Sequence, residues 1–579
     1  MAANKILVLD ADGRAGVACV QSLGAVGHLM HVGVRKLGSL TEQSRWCHHV
    51  HAQPAAEPVQ GGVDWLLALD QRHDFALILA TTEASLRWVR ALPEDHPVRR
   101  KAVLPSNAAL DAALDKATTT RIARELGLPV PATRELRGGD DPVARGEDVD
   151  VDVPPGRYPI VLKPVRSKVV MSQRLVSLSV AVVHDDTARA ATLAAWLPYT
   201  SVQEQPWVPG RGVGVEVLYE RGRMAWHFVH ERLHEWPLTG GASTLRRAAG
   251  AETELVELTR RLLDRLEWHG VAMVEWRRAE DGTLNLMEIN PRLWGSLPLT
   301  IAAGVDMPRG LLALALGQPL APQPAWRVGA IARNLTNDMQ WFIGNLRANR
   351  RDPMLLTESP WRAALGWLRV FTTRETWDGW SWRDSRVART ELTVLINRRL
   401  GLLAERIEKR AALSRARRRH RDLLSSSLKT AGSAPAVLFL CLGNICRSPF
   451  AAVVARERLH GVKVESAGFV RHDGRPSPPH VVATAQSLGF DVSAARARRV
   501  TAEQVAAASL VVCMDVKHLA LMADEFPEAL GKTTLLGLFD AGGPAEMLDP
   551  YDLSAPATRV VFQQMLKAID GLASSVSFV

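Results

Sequence analysis

One turn fixes the register of the largest part of this chain. Asp281-Gly282 lies between two alternating runs within Trp268–Ser296, and both residues tolerate the positive φ that a two-residue hairpin turn requires. Reflection about that turn sets Glu275 directly opposite Glu288, and the period of two along a strand puts Asn290 on the face of Glu288. Like charges opposed on paired strands repel, so a cation between them is expected. A cage of few hard oxygens suits Mg²⁺ that also holds substrate phosphates. Two solvated carboxylates on an exposed hairpin are the plainer alternative.

The segment MVE, a hairpin, then MEINPRLWGS resembles the metal-binding end of the ATP-grasp ligases. That family joins a carboxylate to an amine, or to a related nucleophile, by way of an acyl-phosphate. The resemblance covers roughly the first three hundred residues. It implies a multidomain α/β chain: a leading (pre-ATP-grasp) α/β domain over 1–108 and an α+β ATP-grasp nucleotide-binding domain over 109–320. It also implies ATP and Mg²⁺, with Glu275, Glu288 and Asn290 as metal ligands, and a carboxylate and an amine of unknown identity.

A chain of 579 residues is too long for one core. Its 47% hydrophobic and 23% charged residues are ordinary for globular protein. No apolar run reaches the ~20 residues of a membrane span, and the first residues enter a strand pattern at once. Five cysteines at irregular spacing are no disulfide framework. A cytoplasmic location is therefore expected. The net charge of +10 suits anionic ligands.

Lys5–Leu9, His28–Val34 and Phe75–Ala80 have buried-strand character, with a helical pattern through Ser22 between the first two. Strands alternating with helices predict a doubly wound parallel sheet. Gly13-x-x-Gly16 lacks the full dinucleotide fingerprint. His48, His49 and His51 match no standard metal spacing and read as a loop.

Asp115-Lys116 opens a helix that runs to Gly127, and Tyr158–Pro164 is a strand bearing Lys163. By resemblance, Lys116 and Lys163 contact ATP phosphates. Ser201–Val208 resembles the hinge that reads the adenine edge; its register leaves Glu204 and Gln205 both open, with Trp207 and Val208 following. Between the lysines, Gly138–Pro155 reads as a flexible loop. Family members carry a glycine-rich flap after the second lysine, whereas residues 166–173 here contain no glycine, so Arg166 or Lys168 would substitute side-chain charge for backbone donors. The small-residue loop from Gly240 runs into Arg246 and Arg247, and by resemblance it faces the reacting phosphoryl group; a basic surface turn is the alternative. Arg292, two residues past Asn290, would steady the acyl-phosphate.

Residues 321–434 read as a helical connector and basic linker. Trp326, Trp341, Trp361, Trp367, Trp377, Trp380 and Trp382 lie among arginines there, and packing against the ligase is preferred to stacking on nucleic acid, which is not expected as a partner. Glu405–Arg421 is strongly basic, and it suits either a solvated helix or peripheral contact with anionic lipid at about 1 kcal/mol per charge. Ser425–Pro435 is a linker in composition.

Val437–Leu440 leads into Cys441-Leu-Gly-Asn-Ile-Cys-Arg447-Ser448-Pro449. Cysteine, five residues and arginine between a strand and a helix form a phosphate cradle, with inward N–H groups, a guanidinium fork and a helix N-terminus. Such a setting favours the thiolate of Cys441. The motif resembles the phosphate loop of the low-molecular-weight protein tyrosine phosphatases, a doubly wound parallel α/β fold. Ser466-Ala-Gly468 and Asp549-Pro-Tyr-Asp552 extend the resemblance over 435–579. It implies Cys441 as nucleophile, Arg447 as phosphate ligand and Asn444 and Ser448 as orienters. It further implies Asp549 as general acid, Tyr551 as a wall for the leaving group and Cys446 as a reversible disulfide partner of Cys441. Asp515 matches a supporting acid of the family. The substrate is then a phosphotyrosine protein or a small phosphomonoester, with no cofactor. Arsenate reductase is disfavoured, since Cys513 has no second cysteine after it and reads as core. A third reading keeps the phosphatase and makes the ATP-grasp half a nucleotide-binding module that regulates it.

Overall fold

The structure is a computed structural model describing residues 3–136, 158–171, 174–352, 354–372, 375–425, 435–470 and 473–575. Loop residues 138–155 and linker residues 426–434 lie outside the described residues. The chain divides into two compact units, Met1–Ile396 and Asn397–Val579. Among the described residues no single helix is long and apolar enough to cross a membrane.

The first unit opens on a parallel sheet in the order Cys47–Ala52, Leu29–Val34, Lys5–Leu9, Leu77–Ala80. Ile6 and Val8 enter one core while Leu7 and Leu9 enter another, so the central strand is covered on both faces and reads as a continuous apolar run. The histidine run expected as a loop is the edge strand of this sheet, with His49 opposite His31. Its polar, largely exposed residues carry no apolar alternation by which a strand would be read.

An antiparallel sheet follows, in the order Arg134–Leu136, Val202–Pro206, Ile160–Pro164, Ala181–Val183, and the glycine-free flap is a hairpin of Lys168–Met171 and Arg174–Ser177. The third sheet has seven strands: Leu284–Asn290, Gly270–Arg278, Arg211–Glu220, Arg223–Trp236, Ala242–Ala248, Ile331–Arg333 and Thr376–Trp377. The stretch expected as a helical connector thus supplies two strands to this sheet, along with the helices Leu335–Arg347 and Pro360–Leu368. Strands of two and three residues are too short to show a period. Trp341 is buried and stacks on His234, with ring centroids 3.3 Å apart.

The Asp281-Gly282 turn is longer than expected. Ala279 N donates to Thr283 O at 2.8 Å, leaving the three-residue loop Glu280–Gly282 with Gly282 at φ 89°. That extra residue offsets the pairing, so Trp276 opposes Leu286. An irregularity at Met287 then adds one residue to the other strand and restores Glu275 opposite Glu288. Two departures cancel, and the acidic pair meets.

The helix Ser385–Ser425 carries the chain into the second unit. There Leu413, Ala416 and Leu423 pack on the phosphate-loop domain's core, and His420 lies 3.0 Å from Thr534. The basic stretch is therefore not wholly solvated: Ala416 and His420 are buried and Leu413 is partly so, while Ile407, Arg415, Arg417 and Arg418 are exposed. A parallel sheet in the order Lys463–Gly468, Ala436–Cys441, Leu510–Cys513, Thr533–Leu535 forms the centre of this unit. Strand order reverses at Ala436–Cys441, which opens a crevice beyond its carboxyl end, where Cys441 stands.

Candidate functional site

A cavity of about 860 Å³ in the first unit is lined by Lys116, Lys163, Gln205, Trp207, Val208, Glu275, Glu288, Asn290 and Arg292. Asp115 caps the helix Lys116–Glu125 by accepting from Thr118 N, which sets Lys116 at the first turn. Its Nζ lies 3.5 Å from Glu288 and donates to Ser167 Oγ at 2.9 Å. Asn290 Nδ2 donates to Glu275 at 3.1 Å and to Glu288 at 3.2 Å, so one amide bridges the facing acids. Arg292 donates to Asn290 Oδ1 at 3.3 Å.

The cavity wall carries Lys116, Lys163, Arg232, Arg277 and Arg292 against Glu235, Glu275 and Glu288. Burial opposes ionisation of Glu288, but Lys116, Asn290 and Lys163 outweigh it and hold its carboxyl below the usual range. Burial pushes the Lys163 ammonium down to about 8, against the attraction of Glu288. Arg232, which the sequence reading passed over, pairs with Glu275 at 2.7 Å. Two carboxylates and a carboxamide lie within one hydrogen-bond network, a donor set that suits a small hard cation, and Arg232 and Lys116 each pair with one of the acids.

Three expected contacts fall elsewhere. Glu204 is not on the cavity wall; it is buried against Arg189 at 2.7 Å, because strand alternation turns Gln205 to the other face, where it reaches Thr133. Arg246 is not on a phosphate-facing loop either. It lies inside the strand Ala242–Ala248, 1% exposed, and pairs with Asp378, an acid far away in sequence that the reading could not match to it. Of the flap cations, Arg166 approaches Asp115 at 3.7 Å and Lys168 bonds Ser177 across the hairpin. The cavity wall also includes His230, fully buried and 3.2 Å from Glu216. No motif marked it, since a lone histidine in a strand carries no pattern.

In the second unit, Cys441 Sγ lies 3.0 Å from Ser448 Oγ, and Asn444 Nδ2 donates to Ser448 at 2.9 Å and to Ser466 at 3.0 Å. Asn444 takes φ 51°, a left-handed conformation that asparagine tolerates. A Cβ on Gly468 would come within 2.8 Å of Leu442 O and Asn444 N, which explains why the loop needs glycine behind it. Arg447 donates to Asp515 at 2.8 Å and to Asp549 at 2.6 Å. Burial, with Asp549 adding to it, pushes the Cys446 thiol up to about 12. Cys513 is wholly buried beneath the site.

The sequence of this unit decides the family. Residues 436–577 match the model of the low molecular weight phosphotyrosine protein phosphatases. The low molecular weight protein-tyrosine-phosphatase Etp of Escherichia coli K12 is 34% identical over 144 residues, 24% of this chain and 94% of that protein. The chain belongs to the low molecular weight protein-tyrosine-phosphatase family. The same phosphatase domain is 31% identical to the protein-arginine-phosphatase of Geobacillus stearothermophilus over 141 residues, 24% of this chain and 95% of that one. Residues 205–337 match a second model, ATP-grasp in the biosynthetic pathway with Ter operon. A solved ADP complex of PurK, N5-carboxyaminoimidazole ribonucleotide synthetase, is 16% identical with a TM-score of 0.44, over 60% of this chain and 85% of that one. The chain thus joins a domain of the phosphatase family to a region that matches an ATP-grasp model.

Residues around the phosphatase's Asp549 were also invisible in the sequence. His480 Nε2 lies 3.1 Å from Pro550 O, and Arg475 donates to Tyr551 Oη at 2.7 Å with its guanidinium over the ring. His518 sits 3.2 Å from Asp515, and burial pushes it down to about 4, so it is neutral near pH 7. All three become adjacent to the acid loop only through folding.

Proposed function

We propose that the chain carries out two reactions: phosphomonoester hydrolysis through a phosphocysteine, and ATP-dependent carboxylate–amine ligation through an acyl-phosphate. For the first, the supporting observation is the pairing of Arg447 with Asp549 beside the Cys441–Ser448–Asn444 network. Cys441 Sγ attacks phosphorus, the bond to the leaving oxygen breaks, and protonated Asp549 gives that oxygen its proton. Asp549 then takes a proton from water as the water attacks phosphorus and the P–S bond breaks, releasing inorganic phosphate. Ser448 steadies the thiolate, and Arg447 binds the equatorial oxygens. Arg475 and Tyr551 form a wall suited to an aromatic leaving group. Mass spectrometry of an Asp549→Ala variant quenched during turnover of p-nitrophenyl phosphate, whose leaving group departs without a proton, should find phosphate on Cys441; phosphate on any other residue, or none, refutes this step.

For the second, the supporting observation is that Lys116, Lys163, Glu275, Glu288 and Asn290 converge on one cavity. Glu275, Glu288 and the oxygen of Asn290 would hold Mg²⁺, which when bound neutralises charge on the ATP phosphates. Lys116 and Lys163 bind those phosphates, and Gln205, Trp207 and Val208 border the base. The substrate carboxylate attacks the γ-phosphorus, releasing ADP, and an amine then attacks the acyl carbon and expels phosphate. Arg292 offers a guanidinium to the acyl-phosphate. Positioning and charge carry this chemistry without a protein nucleophile. ADP release is to be measured across a panel of carboxylates paired with amines; release that needs no carboxylate would refute ligation.

A further inference from the structure

In the N-terminal sheet of the first unit, four histidines from three elements share one face. His31 is on the strand Leu29–Val34, His49 and His51 are on the edge strand, and His73 ends the helix Val59–His73. The pairing of His31 with His49 and the step of two to His51 put these three on one side of the sheet. Ring nitrogens of His31, His51 and His73 lie within 4.8 Å of one another, with His31 Nδ1 3.0 Å from His51 Nε2. The His49 ring stands 4.4 Å from His31 and 6.2 Å from His73. His48 faces elsewhere and accepts from Met30 N at 3.1 Å.

We propose that His31, His51 and His73 form a site for one borderline first-row divalent cation of the Zn²⁺ class, with a remaining position open to solvent and His49 beside it. Two neutral imidazoles satisfy each other with a single N–H···N bond, which accounts for His31 and His51 but not for a third and fourth ring converging on them. Three nitrogens at this spacing supply the facial set that zinc takes with an additional ligand. The set contains no carboxylate, and neutral nitrogen donors favour zinc or its neighbours over Mg²⁺ or Ca²⁺. His31 is 2% exposed, whereas His51 and His73 are half-buried, so the site is anchored inside and reached from outside. Lys5 Nζ donates to the backbone carbonyl of His73 at 2.9 Å. None of these histidines lines the large cavity, so this site is separate from the acidic pair. Bound metal would tie the exposed edge strand to its neighbour and to the end of the helix.

The test uses the full chain stripped with chelator and titrated with Co²⁺ and Zn²⁺. Wild type and a Glu288→Ala variant should each take up about one tetrahedral Co²⁺ with visible absorption, displaced by Zn²⁺. The double variant His51→Ala/His73→Ala should lose that absorption. X-ray absorption on zinc-loaded wild type needs no variant and should find imidazole nitrogens around the metal. No uptake by wild type, uptake undiminished in the double variant, or a shell of oxygen alone would each overturn the proposal.

Discussion

Lys163 gives the sharpest pH prediction. Burial holds its ammonium near 8, so the charge proposed to bind nucleotide phosphate is present below that value and lost as pH rises through it. About nine-tenths of free protein carries the charge at pH 7 and about one-tenth at pH 9. If the phosphates bind only the ammonium form, ADP affinity falls about tenfold between those pH values, or about 1.4 kcal/mol. Calorimetric titration of ADP with Mg²⁺ at pH 7, 8 and 9 reads this directly. Lys163→Arg keeps its charge throughout and should flatten the profile, while Lys163→Met should bind weakly at every pH. Equal affinity of wild type at pH 7 and 9, or an unchanged slope in Lys163→Met, would refute the assignment.

Other expectations rest on separate contacts. Asp549→Asn should lower kcat/KM far more for phenyl phosphate than for an ester with an acidic leaving group, because in forming the phosphocysteine only the former needs the proton; equal losses of kcat/KM would remove Asp549 from that role. Gly468→Ala should reduce phosphatase activity on the order of 100-fold with the fold intact, since its Cβ would displace the loop that holds Cys441. Circular dichroism beside kcat separates the two effects. Asp378→Ala leaves Arg246 buried and unpaired, which should cost about 3 to 5 kcal/mol. All 17 tryptophans lie at or before Trp382, so fluorescence during urea unfolding follows the first unit alone; an unmoved transition would contradict that cost.

The parts of this molecule that could be read from residues alone are those in which the chemistry is local. Cys441 to Ser448 is one strand, one loop and one helix start, so sequence spacing is nearly spatial spacing. The acidic hairpin was legible for the same reason, although its opposition depends on a longer turn and an irregularity at Met287 that compensate for each other. Arg246 was misplaced because its partner, Asp378, lies 132 residues away. Glu204 and Gln205 could be separated only by knowing which face of the strand meets the helix carrying Arg189. The histidine cluster escaped because His31, His51 and His73 come from three elements, and its edge strand lacks apolar alternation. Short strands such as Thr376–Trp377 exist only through their neighbours.

Independence of the two chemistries is the central claim, and reciprocal variants test it in a single pair of assays. Mg²⁺-dependent ADP release and p-nitrophenyl phosphate hydrolysis are to be measured side by side on Glu288→Ala and Cys441→Ser. Glu288→Ala should lose ADP release and keep hydrolysis, and Cys441→Ser should do the reverse. Hydrolysis surviving in Cys441→Ser, or ADP release surviving in Glu288→Ala, would contradict the account.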